Sequence, residues 1–79
     1  MDINFELYKI FYHTAKAQSF SAAADILHVS QSAVSQSIKS LEEKLGSQLF
    51  LRKTREIKLT VEGEILFKHI EQAYNFIKT

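Results

Sequence analysis

The hydrophobic and polar positions of the first 45 residues follow a helical period that is interrupted twice. Between residues 4 and 18, apolar side chains recur at steps of three and four, which predicts a first helix. Ser19 and Ser21 are both good N-caps for a second helix that runs to about Leu27. The expected buried stripe of the first helix is Leu7, Ile10, Phe11, Thr14 and Ala15, with Tyr8 and Tyr12 beside it.

A short connection, residues 28–30, leads into a third helix. Ser30 is placed to cap this helix, which is expected to run from Gln31 to Leu45, and Gly46 is the expected left-handed stop. Two helices joined by a turn of this length are typical of a helix-turn-helix.

The third helix has an unusual outer face, because serine and glutamine supply most of it. The apolar face of this helix is expected to be buried in the core and comprises Val34, Ile38, Leu41 and Leu45. Ser32, Gln36 and Lys39 point the other way, with Ser35 at the flank and Gln31 at the N-terminal tip. Short hydroxyl and amide side chains let a helix approach base edges in a DNA major groove, where glutamine pairs with adenine and serine with any base. The plain alternative is a solvated helix face.

After Gly46 the period of the pattern falls to two, and the chain then returns to a helix. Two short strands are predicted around residues 53–55, giving a hairpin over residues 49–59, in which Leu49, Leu51, Ile57 and Leu59 alternate with Phe50, Arg52 and Lys58. Thr60 is expected to cap a final helix that has Glu62 in its first turn. This order of elements is that of a winged helix-turn-helix with an added C-terminal helix.

The final helix carries an apolar seam that its own domain and a second subunit of a homodimer are expected to share. The residues predicted to take part in dimerisation are Leu66, Phe67, Ile70, Ala73, Tyr74 and Ile77.

Composition and charge narrow the class of protein. A chain of 79 residues forms one domain at most, and the absence of cysteine excludes disulfides, thiolate zinc sites and thiol nucleophiles. Its apolar stretches are too short for a membrane span, and the N-terminus lacks a signal-peptide layout, so we expect a cytoplasmic, nucleoid-associated protein. The net charge is +1, but residues 30–59 carry +3 and each flank carries −1. Positive charge is therefore concentrated on the third helix and the hairpin, as in an anion-binding surface.

Several short motifs are spread at defined spacings over nearly the whole chain. They are Ser19-Phe20 before paired alanines, Val29-Ser30-Gln31, Ala33-Val34-Ser35, Ile38, Leu41-Glu42, Leu45-Gly46, Leu49-Phe50, Arg52, and Leu59-Thr60 with Gly63. This combination resembles the DNA-binding domain of the LysR-type transcriptional regulators. Ser32 stands where family members usually carry proline, and residues 53–56 stand where they carry a glycine in the wing.

The resemblance implies a mainly α fold: a winged helix-turn-helix domain over residues 1–59 and a linker helix for dimerisation over residues 60–79. Helix 31–45 would enter the major groove, and the wing, residues 49–59, would lie on the adjacent minor groove or backbone. The residues implied to read bases are Gln31, Ser32, Ser35 and Gln36. Those implied to hold the backbone or minor groove are Ser21, Ser30, Lys39, Arg52, Lys53 and Arg55. The implied partner is double-stranded DNA carrying an interrupted, A·T-flanked dyad, and an inducer would act only through a domain absent from this chain.

Catalysis and pure protein interaction are the alternatives. His13, His28 and His69 form no two-histidine helical metal pair, and no Gly-x-Ser-x-Gly elbow occurs, so we expect neither an enzyme nor a metal or cofactor site. A pure interaction module would leave the basic cluster of the hairpin unexplained. Membrane binding would need an amphipathic helix with a basic polar face, which the chain lacks.

Overall fold

The computed structural model describes residues 4–53 and 56–78, and its elements follow the predicted order. Four helices and one two-stranded antiparallel sheet make up the described residues. The elements are α1 (Phe5–Ala17), α2 (Phe20–Leu27), α3 (Gln31–Leu45), β1 (Phe50–Lys53), β2 (Glu56–Leu59) and α4 (Val61–Lys78). The mainly helical fold with a winged helix-turn-helix is thus confirmed.

Serine caps decide where the two helices of the helix-turn-helix begin. The Ser19 hydroxyl accepts a hydrogen bond from the Ala22 N–H at 3.0 Å, so Ser19 is the cap and Ser21 lies inside α2. The Ser30 hydroxyl accepts from the Ala33 N–H at the same distance, as predicted. Each cap satisfies one of the N–H groups that a helix leaves unpaired at its start.

Left-handed residues end the helices on either side of the turn. His28 ends α2 with φ 59°, and the following Val29 N–H donates to the Ala24 carbonyl oxygen at 3.0 Å. Gly46 ends α3 with φ 73°, where glycine avoids the steric cost that a Cβ atom brings. Because the chain changes direction at His28, α3 begins only three residues later and crosses α2.

The core lies between the first three helices and the hairpin. The apolar face predicted for α3 is confirmed, because Val34, Ile38 and Leu41 are buried. Ala23 and Ala24 are buried where α2 meets its neighbours, and such small side chains permit close helix packing. Leu7, Ile10, Ala15 and Leu45 pack at the edge of this core and are partly buried.

The predicted alternation in the first strand is wrong at two positions. Phe50 is 2% exposed and Leu51 is 45% exposed, the reverse of the expected pattern. In the register, Phe50 pairs with Leu59 and Leu51 with Lys58, so Phe50 faces inward. The Phe11 and Phe20 rings lie 5.4 and 5.9 Å from the Phe50 ring and form the pocket that it fills. Because three consecutive residues here are apolar, the sequence pattern does not show which of them points inward. The contacts of Phe50 with the Phe11 and Phe20 rings decide it.

The start of α4 is fixed to the segment that precedes the wing. The Thr60 hydroxyl accepts from the Gly63 N–H at 3.0 Å, which confirms the predicted cap, and donates to the Gln48 carbonyl oxygen at 2.6 Å. Gly63 is buried against the Leu49 carbonyl oxygen, and a Cβ atom there would collide with that oxygen. Among the described helices, none is long and apolar enough for a membrane span.

Candidate nucleic-acid interface

The polar face of α3 lies on the surface, on the side of the helix opposite the core. Gln31, Ser32, Gln36 and Lys39 are exposed, and Ser35 is half-buried at the flank of the same face. Ser32, Gln36 and Lys39 follow one another at steps of four and three, which aligns them along the helix. The structure therefore brings together the four predicted base-reading residues and one predicted phosphate-binding lysine.

The two serines predicted to hold phosphates both lie near helix N-termini. Ser30 is exposed, and its hydroxyl already accepts from the Ala33 N–H, which leaves its own proton free to be donated. Ser21 is exposed in the first turn of α2. Free N–H groups at a helix start favour an anion, so both positions suit a phosphate oxygen.

The basic residues predicted for the wing are only partly described. Arg55 lies outside the described residues, and of Lys53 the backbone alone is described. Arg52 pairs with Ile57 on the inward face of the hairpin, and its guanidinium lies 5.3 Å from the centre of the Phe20 ring. Lys58, which sequence reasoning did not include in the site, is exposed on the outward face.

Glu42 is the residue next to this interface that sequence reasoning missed. Its carboxylate accepts hydrogen bonds from the Leu49 N–H at 2.8 Å and the Phe50 N–H at 3.3 Å. It also forms an ion pair with the Arg52 guanidinium, at 3.3 Å. The Glu42 side chain is only 11% exposed, whereas its neighbour Glu43 is exposed. The one available signal was the Leu41-Glu42 motif, and it does not reveal these partners.

The predicted dimerisation seam divides into an inner and an outer part. The Tyr74 and Phe67 rings stack on Tyr12 of α1, with centroids 4.2 and 5.5 Å away. Leu66 and Ile70 are partly buried against the core cluster. The outer part, Ala73 and Ile77, is exposed.

Three further apolar residues of α4 are exposed and were not predicted for the seam. Val61 is 70% exposed, Ile65 is 54% exposed and Phe76 is 82% exposed. Between the N-terminal half of α1 and α4 runs an apolar groove of about 560 Å³, to whose walls Phe5, Tyr8 and Ile77 contribute. The apolar surface that α4 leaves exposed therefore lies both on the side turned away from the core and at the C-terminal end of the seam.

Two of the three histidines contribute to the local structure around them. His13 lies against the Tyr12 and Tyr74 rings, and burial together with the charges of Lys9 and Lys16 lowers its pKa below the usual value. His28 is the left-handed stop of α2. Within the described part of the chain, no three His, Asp or Glu side chains group closely enough to hold a metal ion.

Comparison with known proteins gives one consistent result. A family model described as bacterial regulatory helix-turn-helix protein, lysR family, matches residues 5–64. The HTH-type transcriptional regulator PerR of Escherichia coli (strain K12) is 45% identical over 69 residues, a stretch that covers 87% of this chain and 23% of PerR. The chain spans about a quarter of the length of the curated relatives that it matches.

Solved structures of protein–DNA complexes share the fold. The BenM DNA-binding domain in complex with catB site 1 DNA superposes with a TM-score of 0.89 at 32% identity, covering 96% of this chain and 84% of that one. Vibrio fischeri DarR in complex with DNA superposes with a TM-score of 0.87 at 32% identity, covering 99% of this chain and 27% of that one.

Proposed function

Because the chain belongs to the LysR family of bacterial helix-turn-helix regulators, we propose that it binds double-stranded DNA sequence-specifically, as the DNA-reading module of a transcriptional regulator. The observation that carries this proposal is the Ser and Gln face on the N-terminal half of α3, which lies opposite an apolar face whose Val34, Ile38 and Leu41 are buried. A helix held in this way presents short hydrogen-bonding groups on a rigid support, as a major groove requires. The role is one of binding rather than catalysis.

Base reading falls to the exposed face of α3. Gln31 and Gln36 each offer an amide that donates to and accepts from adenine, while Ser32 and Ser35 pair with any base. Ser32 stands at the second position of α3, where a short side chain keeps the helix start close to the groove floor.

Backbone and minor-groove contacts fall to residues around that face. Ser21 and Ser30 offer hydroxyls at helix starts, Lys39 extends from the base-reading face, and Lys53 and Arg55 belong to the wing. Arg52 was predicted for the same role, but its guanidinium already engages Glu42 and Phe20. The support for a phosphate contact is therefore weaker at Arg52 than at Lys39.

Assembly follows from the outer surface of α4. Residues 1–59 act as the DNA-binding unit, and residues 60–79 act as the linker helix that pairs two chains into a homodimer. Two copies related by a two-fold axis bind an interrupted dyad, with the wings at A·T-rich flanks whose narrow minor groove attracts arginine. A small-molecule inducer acts through a further domain outside this chain.

Selection of bound duplexes from a random-sequence pool, at two salt concentrations, tests the proposed function. We expect enrichment of a two-fold symmetric site with A·T-rich flanks, which would also give the half-site spacing. Binding without enrichment that is lost at moderate salt would contradict sequence-specific reading by this chain.

The salt dependence of binding separates the backbone contacts from the base contacts. Lys39→Gln is expected to lower the slope of log affinity against log salt by about one, because one phosphate contact is lost. Binding titrations at several salt concentrations measure this slope. An unchanged slope would remove Lys39 from the phosphate-binding set.

A further inference from the structure

We propose that Glu42 is a positioning residue that fixes the orientation of the wing relative to the recognition helix α3, and that Arg52 serves this same function rather than binding a phosphate. The wing follows α3 through a short connection at residues 46–49. The two elements can reach the major groove and the flanking DNA at the same time only if a contact within the protein holds them at a constant angle.

The Glu42 carboxylate makes that connection directly. One oxygen, Oε2, accepts from the N–H groups of Leu49 and Phe50, at the entrance to β1. The other oxygen, Oε1, accepts from the Arg52 guanidinium two residues further along. One nearly buried side chain of α3 therefore holds the residue that precedes β1 and two residues of β1 itself.

Arg52 extends this contact to α2. Its guanidinium lies over the Phe20 ring while it pairs with Glu42, and the Phe20 ring in turn lies edge-on to the Phe50 ring. A planar guanidinium suits both contacts, since it stacks on an aromatic face and still directs N–H groups at a carboxylate. The Arg52 side chain is 41% exposed, but its guanidinium is already oriented by Glu42 and Phe20, and this orientation is the basis for assigning it to positioning.

The consequence for DNA binding concerns the affinity for the flanking DNA that the wing contacts, rather than the reading of the bases under α3. A wing held at a fixed angle contributes affinity because it meets the flank without reorganisation. Loosening the wing should reduce that contribution and leave base reading by α3 unchanged. This part of the inference rests on the proposed function, whereas the hydrogen bonds of Glu42 do not.

Amide hydrogen exchange of the free protein tests the positioning itself. In Glu42→Gln, we expect the Leu49 and Phe50 amides to exchange about tenfold faster, because a charged acceptor is lost. The matched control is Glu43→Gln, which removes the same charge one residue away, where Glu43 is exposed and has no hydrogen-bond partner among the described residues. Unchanged exchange at both amides in Glu42→Gln overturns the proposal.

Duplex length tests the consequence. The full selected site and the same site trimmed to the base pairs under α3 are titrated with the parent chain, Glu42→Gln and Glu43→Gln. We expect Glu42→Gln to lose about tenfold in affinity for the full site and less than about twofold for the trimmed one, with Glu43→Gln like the parent. An equal loss on both duplexes, or no loss on either, overturns the role of Glu42 in flank binding.

Arg52→Lys distinguishes positioning from phosphate binding. Lysine keeps the charge that a phosphate needs but loses the planar stack on Phe20, so we expect Arg52→Lys to behave like Glu42→Gln on the two duplexes. Full rescue by lysine would assign Arg52 to a phosphate instead. A parent chain that binds no selected duplex would contradict the proposed function, and the exchange measurement would still decide the positioning by Glu42.

Discussion

The helices α3 and α4 both have an apolar face turned towards the core, but their outer faces differ. The outer face of α3 carries Ser32, Gln36 and Lys39, and the large apolar side chains of α3 are buried or partly buried within this chain. On α4, by contrast, large apolar side chains stay exposed: Val61 and Ile65 lie on the side turned away from the core, and Ile77 lies at the C-terminal end of the seam. The interior of the domain is thus complete without a partner at α3, and apolar surface is left over at α4.

This difference indicates two kinds of partner. A polar face on a rigid helix suits a polar, charged surface such as a DNA groove. Exposed apolar side chains on an 18-residue helix suit another protein surface, and a second copy of α4 offers the same side chains in return.

The largest expected effect comes from the same substitution placed on each helix. Ile38→Ala is expected to lower the free energy of unfolding by about 2–5 kcal/mol, because Ile38 is fully buried and a cavity results. Ile65→Ala, at low protein concentration, is expected to change it by no more than about 0.5 kcal/mol, since the side chain is exposed. Urea denaturation measures both values, and equal losses would contradict the comparison.

The next effect concerns self-association through the exposed apolar residues of α4. Ile77→Asp is expected to weaken the homodimer by at least about tenfold, because an unpaired charge would enter an apolar interface. Ile77 is a cleaner position than Ile70, which also packs on the core of its own domain. Sedimentation over a range of concentrations measures the dissociation constant, with Ser32→Asp on α3 as the matched control. A parent chain that stays monomeric at high concentration would contradict dimerisation through α4.

A smaller effect is expected at the base-reading face. Gln36→Ala should cost about 1–3 kcal/mol on the selected site and relax the preference at one base pair, because a bidentate amide is lost. Gln72→Ala, at an exposed position of α4, provides the control and should bind like the parent. Competition titrations with selected and random duplexes give the comparison, and an equal loss on both duplexes would contradict base reading.

The smallest effect concerns the contact between α1 and α4 at His13. Burial, Lys9 and Lys16 lower the pKa of His13 in the folded chain, so below about pH 6.5 the unfolded chain takes up a proton more readily than the folded chain. The contribution of His13 to stability is therefore present above that pH and is lost as the pH falls through the lower, folded-state pKa. Urea midpoints at neutral and mildly acidic pH should show a shallower pH dependence for His13→Gln than for the parent. Equal pH dependence of the two chains would contradict this.

Most of the fold and part of the candidate site were predictable because they depend on local pattern. Ser30, Gly46 and Thr60 mark helix ends through contacts within a few residues, and such contacts are written in the sequence itself. The α3 faces follow from helical periodicity alone, so Gln36 could be placed on the outer face and Ile38 in the core.

The α4 seam was less predictable because its contacts are with a helix that is distant in the sequence. Periodicity shows that Phe67, Tyr74 and Ile77 lie on neighbouring faces, but it does not show that Tyr12 of α1 covers the first two and leaves the third exposed. Which face of a helix is used within the chain depends on where another helix crosses it, and that crossing involves residues more than 50 positions apart.

The sequence by itself therefore determined the helices, the hairpin, their caps and the polar surface of α3, since each depends on neighbours along the chain. Only the tertiary structure decided that Phe50 rather than Leu51 points inward, that Arg52 meets Glu42, and that Ile65 and Ile77 stay outside. Which side chains of a strand point inward, and which charged residues pair with each other, depend on which elements pack together. Packing is a property of the whole assembled core, which no local pattern of hydrophobic and polar residues records.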